Sequence, residues 1–575
     1  MEKMNELWGE TSSRLSTESP KAAYFKQSKF AMFVHWGLYS QAGGEWNGKT
    51  YHGISEWLMC TAKISAQDYA AFASQFNPKE FNAADFVGIA KAAGMKYIVV
   101  TAKHHEGFAM FHSKDPFNVV DATPFGRDPL AELAEECRRQ NIGLGFYYSQ
   151  FQDWQAYNRW DDSLKDNDFE HYFRNKCLPQ IEELLTRYGK LALLWFDTPG
   201  KMTPEQSQEI VELIRRHQPE ALVNSRIGNG VGDYSSLNDN EVPARRTPGL
   251  WECIRTSNGS WGYSAIDQDF CSASEIIWDL VSVTARGGTY MVNVGPDRSG
   301  SIPEALRHSL LKCGAWLRKY GDAAIYGASS SPWTAARNWG DCTRRGNKAY
   351  FILREWMPGR TIADFGFPGK IQKITWLSNG EEVPFIQKGN WLKIALPEKA
   401  GNDLHEVLEI ECAEIIGELD EDVIAVDGTF PCHLNAELAA LLGAEFVHDF
   451  WAERFGEFHY VNIITHWKAR SEAKWVFQLE QSGYYRIYLR YQKIDLQNRT
   501  WKICGSEGQV IQRWLPDAQP LPPPPLQTEP TARFHTVCAG VIEFRETGQH
   551  WLSFSSCQPE LESEMQLAEL ILEKF

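Results

Sequence analysis

Between about residue 26 and residue 330, short apolar runs alternate with amphipathic helical segments, which restricts the chain to a parallel sheet covered by helices on its faces. The runs are FAMFVHWG (30–37), YIVVTAKHH (97–105), IGLGFYYS (142–149), LALLWFD (191–197), ALVNSR (221–226), WECIRT (251–256) and TYMVNVG (289–295). Between them lie helical patterns such as DPLAELAEECRRQN and TPEQSQEIVELIRRHQP. Helix starts are well signalled: Thr203 stands as N-cap before Pro204, and Ser272 with Glu275 spells a capping box. Seven or eight such units in about 300 residues favour a (β/α)8-like barrel over an open, doubly wound sheet. No glycine-rich dinucleotide fingerprint follows the first run, which weakens the open-sheet alternative further.

Beyond residue 330 the pattern changes to short strands and turns, as in KAYFILREW and EVLEIECA. A chain of 575 residues exceeds what one core usually organises. The expected units are a barrel over 1–330, a small β-sandwich over 331–415 and an additional C-terminal β-rich unit over 416–575. Acidic IGELDEDV (416–423) reads as a linker, and the stretch LPDAQPLPPPPLQTEPTA as an exposed polyproline loop.

Bulk chemistry removes several function classes. A net charge of −16 argues against nucleic acid or an anionic membrane as the main partner, because both require clustered Lys and Arg. No run approaches the ~18 apolar residues that a membrane span needs. The N-terminus MEKMNELWGETSSRLSTESP lacks an apolar h-region and does not read as a signal peptide. The 12 Cys are scattered, without CxxC or zinc-ligand spacing, and read as buried thiols of a cytoplasmic protein. The 22 Trp help lift the aromatic fraction to 13%, in keeping either with sugar binding or with large cores.

The strands share a further feature. They end in polar or ionisable residues: His35, His104 and His105, Tyr148 and Ser149, Asp197, Asn224 and Arg226, Asn293, with Glu252 in WECIRT counted among them. In a barrel the C-terminal strand ends meet at one face, and that face carries the chemistry. Asp197 closes the apolar run LALLWF, so a buried strand delivers it to the barrel mouth. A second carboxyl would complete a glycosidase pair, one group protonating the leaving oxygen and the other attacking the anomeric carbon or activating water. Glu241, on a long loop, and Glu252, beside Trp251, are both candidates for the proton donor, and sequence leaves the choice open. Glu56 is a third carboxylate and can share substrate binding with Trp57. The His104-His105 pair does not read as a metal site: adjacent strand residues point to opposite faces, and no third ligand stands at a zinc-like spacing.

The set FAMFVHWGLYS, SEWL, AKHHEGFAMF, YYS, LLWFD, WECIRT with SWGY, and GGTYMVNVGPDRSG resembles the α-L-fucosidase family of retaining glycoside hydrolases. The resemblance covers roughly residues 24–330. It implies a (β/α)8-like barrel followed by a small β-sandwich; no cofactor and no metal are expected. It also implies exo-hydrolysis of terminal α-L-fucose from a fucosylated oligosaccharide or glycoconjugate, by double displacement. Asp197 corresponds to the nucleophile that forms the fucosyl-enzyme intermediate. The fucose-binding positions fall on His35, Glu56, Trp57, His104, His105, Tyr148 and Arg226, with Trp261 of SWGY as a wall for the fucose methyl. The acid/base follows no uniform motif in the family, and Glu241 and Glu252 remain alternatives. Shorter loops in the family place that carboxylate five residues beyond the equivalent of Asp233, where this chain has Asn238. Residues 424–575 lie outside the common core. They read either as a carbohydrate-binding sandwich or as a module that packs on the barrel or mediates homo-oligomers.

Overall fold

The structure, a computed structural model, describes residues 14–575 apart from 52, 158–167, 400, 402–403, 453–457, 493–499 and 517–533. Most of the N-terminal segment read as lacking a signal peptide, and residues 517–533 of the polyproline stretch, therefore lie outside the described residues.

Eight parallel strands form the first unit: β1 (Phe30–Val34), β2 (Tyr97–Lys103), β3 (Gly143–Ser149), β4 (Leu193–Asp197), β5 (Leu222–Val223), β6 (Ser235–Ser236), β7 (Trp251–Arg255) and β8 (Thr289–Val294). Each pairs with its sequence neighbour, and β8 pairs back onto β1 with Phe30 beside Tyr290. β5 and β6 meet through a parallel bridge between Asn224 and Tyr234, which closes the ring as a (β/α)8-like barrel. The seven apolar runs each supply a strand. The eighth, β6, is a two-residue piece of the polar loop DYSSLNDN, too short to leave a periodic signal.

Side-chain parity divides each strand between two cores. Phe33, Val99, Tyr147, Leu193, Trp195, Ile254 and Met291 fill the barrel interior. Their neighbours Val34, Val100, Tyr148, Leu194, Phe196 and Val292 pack outward against the helices. Each fully buried Phe, Leu or Met contributes roughly 1.5–3 kcal/mol. Gly145 lacks a side chain because a Cβ there would lie 2.9 Å from Leu193 of the next strand. Along β4 the inward positions are Leu193, Trp195 and Asp197, so the same parity that fills the interior lifts Asp197 to the mouth.

Helices follow most strands, including Pro129–Gln140 after β2, Pro204–His217 after β4, Ala273–Ala285 after β7 and Glu304–Ala324 after β8. Thr203 and Ser272 cap their helices, each with a reciprocal capping box. After β5 there is only a 3-10 turn, Ser225–Ile227, and after β6 only the loop leading to β7. On that side the helical jacket is open. Residues of the C-terminal unit cover it: Arg245 donates to the Glu437 carbonyl, and Glu241 meets His448.

Residues 340–412 form a four-stranded and a three-stranded antiparallel sheet around a core that includes Trp333, Trp339 and Trp376. Residues 424–574 form two larger, mainly antiparallel sheets around Trp467, Trp475 and Trp501.

Candidate active site

Asp197 ends β4 at the C-terminal face and is 9% exposed. Three donors hold its carboxylate. The Tyr147 hydroxyl donates to Oδ2 at 2.9 Å, Arg226 Nη1 to Oδ1 at 3.1 Å, and the Thr198 N–H to Oδ1 at 3.0 Å. Thr198 adopts φ +46°, a conformation that β-branched residues rarely take, as the chain turns its N–H back onto the carboxylate. A buried carboxylate needs such partners to remain ionised. His105 Nε2 lies 3.7 Å from Oδ2.

Arg226 is fully buried, with its guanidinium 4.9 Å above the Trp195 ring. While Nη1 serves Asp197, Nη2 donates to the Leu237 carbonyl at 2.8 Å and to Asp239 Oδ1 at 2.7 Å. One guanidinium thus bridges two carboxylates, Asp197 and Asp239. Burial raises the Asp239 carboxyl above the ordinary aspartate range, Arg226 pulls it down, and the Asp197 charge pushes it up again. Sequence reasoning missed Asp239. It lies next to Asn238, the position singled out by loop length, but an irregular loop has no periodicity to show which carboxylate faces inward.

The structure separates the two glutamates expected to compete as proton donor, and brings neither to Asp197. Glu252 is the second residue of β7 and pairs in register with Thr289, the first residue of β8. It therefore lies toward the N-terminal end of the barrel, fully buried, where its Oε1 accepts from Trp195 Nε1 and from Ser236 Oγ. The Trp195 indole contacts both groups, Glu252 through its Nε1–H and Arg226 through its ring face. Burial pushes the Glu252 carboxyl up to about 7, yet an elevated pKa without access cannot deliver a proton to substrate. Glu241 sits two residues beyond Asp239 but turns outward, 3.2 Å from His448 Nε2.

Tyr148 also requires correction. Its hydroxyl donates to Gln180 Oε1 in the helix layer, with Lys103 over its ring. The inward tyrosine is Tyr147, one residue earlier. The two glycines at 143 and 145, which share the parity of Tyr147, were the available signal.

The three histidines do converge. The His35 and His104 rings lie 5.6 Å apart, and His104 and His105 4.2 Å apart. The strict alternation expected of adjacent strand residues does not hold, because β2 stops at Lys103 with a shift of register and the chain turns. His104 stacks on Tyr147 at 5.2 Å. Burial holds His35 and His105 down to about 3, and His104 well below its ordinary range, so all three are neutral imidazoles. Their tautomers follow from the second contacts. Asn293 Nδ2 donates to the Trp261 carbonyl, so its Oδ1 accepts from His35 Nδ1 at 2.7 Å. Ser149 Oγ donates to the Gln152 carbonyl and accepts from His105 Nδ1 at 2.6 Å. Nε2 of both rings is then a lone pair, suited to accept from a sugar hydroxyl.

Glu56 and Trp57 sit on a 3-10 turn over the mouth. Glu56 Oε2 accepts from the Gly262 N–H at 2.8 Å, and burial pushes its carboxyl up to about 7. Trp57 packs edge-on against His105 and Trp154, while Trp261 lies 5.1 Å from His35. Behind the histidines, Glu106 accepts from the Leu38 N–H and the Tyr69 hydroxyl, which locks the loop after β2. Among the described residues, no group of three or more His, Cys, Asp or Glu has an arrangement able to hold a metal ion. Two carboxylates bridged by one guanidinium thus meet three neutral imidazoles and the rings of Trp57 and Trp261 at the C-terminal face, with His105 next to Asp197.

The family model described as "Alpha-L-fucosidase" matches residues 3–322. The tissue α-L-fucosidase of Rattus norvegicus is 32% identical over 338 residues, which span 55% of this chain and 71% of that protein. The crystal structure of α-L-fucosidase from Vibrio sp. strain EJY3 superposes with a TM-score of 0.76 at 31% identity, covering 97% of this chain and 98% of that one. A Bacteroides thetaiotaomicron α-L-fucosidase, described as a trapped covalent intermediate with 2-fluoro-fucosyl fluoride, superposes with a TM-score of 0.64 at 28% identity. It covers 70% of this chain and 98% of that one.

Proposed function

Because the chain belongs to the α-L-fucosidase family of glycoside hydrolases, we propose that it releases terminal α-L-fucose with net retention, using Asp197 as nucleophile and Asp239 as acid/base. The observation that carries this reading is the Arg226 guanidinium shared by the two carboxylates. It donates to the Asp197 oxygen Oδ1 and orients that carboxylate for attack. It also keeps Asp239 within reach of the same anomeric centre, as the short carboxyl separation of about 5–5.5 Å in a retaining enzyme requires. The trapped covalent intermediate described for the Bacteroides relative supports the two-step course.

In the first step an Asp197 oxygen bonds to C1 as the C1–O bond to the leaving group breaks, and Asp239 gives its proton to the departing oxygen. In the second, water adds to C1 and passes a proton to the Asp239 carboxylate, while Asp197 departs as carboxylate. Electrostatics drives the change of role. The Asp197 charge raises the Asp239 pKa, which favours an acid; once Asp197 is esterified that charge is gone, Asp239 becomes more acidic, and it serves as base. Fucose hydroxyls donate to the Nε2 lone pairs of His35 and His105 and to Glu56, and the C6 methyl faces Trp261.

Two variants test both roles. Asp197→Gly should lose nearly all turnover of an aryl α-L-fucoside and, with azide, form β-L-fucosyl azide. Asp239→Ala with azide should form the α-anomer. Azide rescue of Glu241→Ala or Glu252→Ala, with Asp239→Ala unimpaired, would overturn the Asp239 assignment. A cytoplasmic setting belongs to the same proposal, supported by 12 unpaired cysteines.

A further inference from the structure

We propose that His448, in the C-terminal β-rich unit, is a positioning residue for the loop that carries Asp239, acting through Glu241. The inference rests on Asp239 being the acid/base.

Asp239 occupies a four-residue turn closed at both ends. The Glu241 N–H donates to the Asn238 carbonyl at 3.2 Å, and Glu241 Oε2 accepts from the Asn238 N–H at 3.1 Å. Asn240, at φ +59°, anchors the turn to the barrel by accepting from the Thr256 N–H at 2.9 Å. The other oxygen of Glu241 faces His448 Nε2 at 3.2 Å.

His448 is itself held from two directions. Its ring stacks on Tyr460 with centroids 5.1 Å apart, and its Nδ1 lies 2.8 Å from Asn462 Oδ1. Nδ1 is hydrogen-bonded to Asn462, whereas Nε2 meets Glu241 at ion-pair distance without hydrogen-bond geometry, so Glu241 attracts the protonated ring by charge. Burial opposes that charge, yet Glu241 and Asn462 hold the imidazole above its ordinary range. His448, Glu241 and the backbone N–H of Asn238 thus form a chain of contacts from the C-terminal unit to the residue preceding Asp239. These contacts cross the side of the barrel where no helix follows β5 or β6, so the loop depends on the C-terminal unit for a support that helices supply elsewhere.

A displaced acid matters in proportion to how much protonation the leaving group needs. His448→Ala should therefore lower kcat/KM for a fucosyl disaccharide by roughly tenfold to a hundredfold, the cost of a misplaced catalytic group. It should change kcat/KM for an aryl α-L-fucoside with an acidic phenol by less than about threefold, because that leaving group departs with little proton transfer. Inhibition by free fucose should not move. His448→Gln, whose side-chain amide can donate to Glu241 from the same position, should recover most of the loss. His448→Ala combined with Glu241→Ala should be no worse than Glu241→Ala alone, as expected for residues acting in series.

Equal losses for both substrates, no loss for either, or additive effects in the double variant would overturn the inference. Asp239→Asn run alongside separates the two claims. If Asp239→Asn itself lacks leaving-group dependence, the acid/base assignment has failed. If Asp239→Asn has that dependence and the His448 variants do not, only the positioning role has failed.

Discussion

Glu252 offers a test of the reasoning that separates an elevated carboxyl pKa from a catalytic role. Its carboxyl is pushed up to about 7 by burial, and Ser236, Trp195 and Tyr234 only partly offset that cost. The unfolded chain ionises this group near 4.5, whereas the folded chain keeps the proton until about 7. The associated stability is therefore fully present below pH 4.5, falls as the pH rises toward 7, and is lost above it. At 1.36 kcal/mol per pH unit, the gap amounts to about 3 kcal/mol. Glu252→Gln removes the penalty, and its amide oxygen can still accept from Trp195 and Ser236. With an unfolding entropy of about 2 cal/mol/K per residue over a unit the size of the barrel, 3 kcal/mol corresponds to about 5 °C in Tm. Melting of wild type and Glu252→Gln, followed from pH 4 to pH 8, should coincide at the acid end and diverge to about 5 °C in favour of the variant at pH 8. Turnover at pH 7 should remain close to wild type. A Tm difference independent of pH would refute the burial argument. Abolished turnover restored by azide would refute the placement of Glu252 beneath the site.

Other perturbations follow from the same geometry. Tyr147→Phe deletes a hydrogen bond to the Asp197 carboxylate, a charge-assisted bond of roughly 1.5–3 kcal/mol, so kcat/KM on an aryl fucoside should fall about 10- to 100-fold. Tyr148→Phe, one residue away, should leave kcat/KM unchanged and cost about 1 kcal/mol of stability through its bond to Gln180. The reverse outcome would show that the strand parity is misassigned. His35 and His105, held near 3, should show imidazole proton resonances that stay flat between pH 5 and pH 8; titration with a midpoint near 6.5 would contradict their burial as neutral acceptors. Arg226→Lys keeps one charge but cannot span Asp197 and Asp239, so kcat should fall on disaccharide and aryl substrates alike.

What the chain determines by itself is periodic. Continuous apolar runs between amphipathic helices specify a parallel barrel, because a strand buried on both faces and a helix buried on one each leave a repeat that survives without neighbours. The same repeat places Asp197 at the open end of β4, since Leu193, Trp195 and Asp197 share one face. Phase and loop geometry were decided elsewhere. Whether Tyr147 or Tyr148 faces inward depends on which face of β3 meets the barrel interior, a matter of packing across strands. Glu252 looked like a strand-end residue until register put it beside the first residue of β8. Glu241 and Asp239 are two residues apart in a loop without periodicity, and their fates were set by partners distant in sequence. Arg226 holds Asp239 on the same guanidinium as Asp197, while His448, more than 200 residues later, faces Glu241 on the outer side. Local sequence encodes the repeat that builds the barrel; the charges that choose between neighbouring carboxylates come together only when the chain is folded.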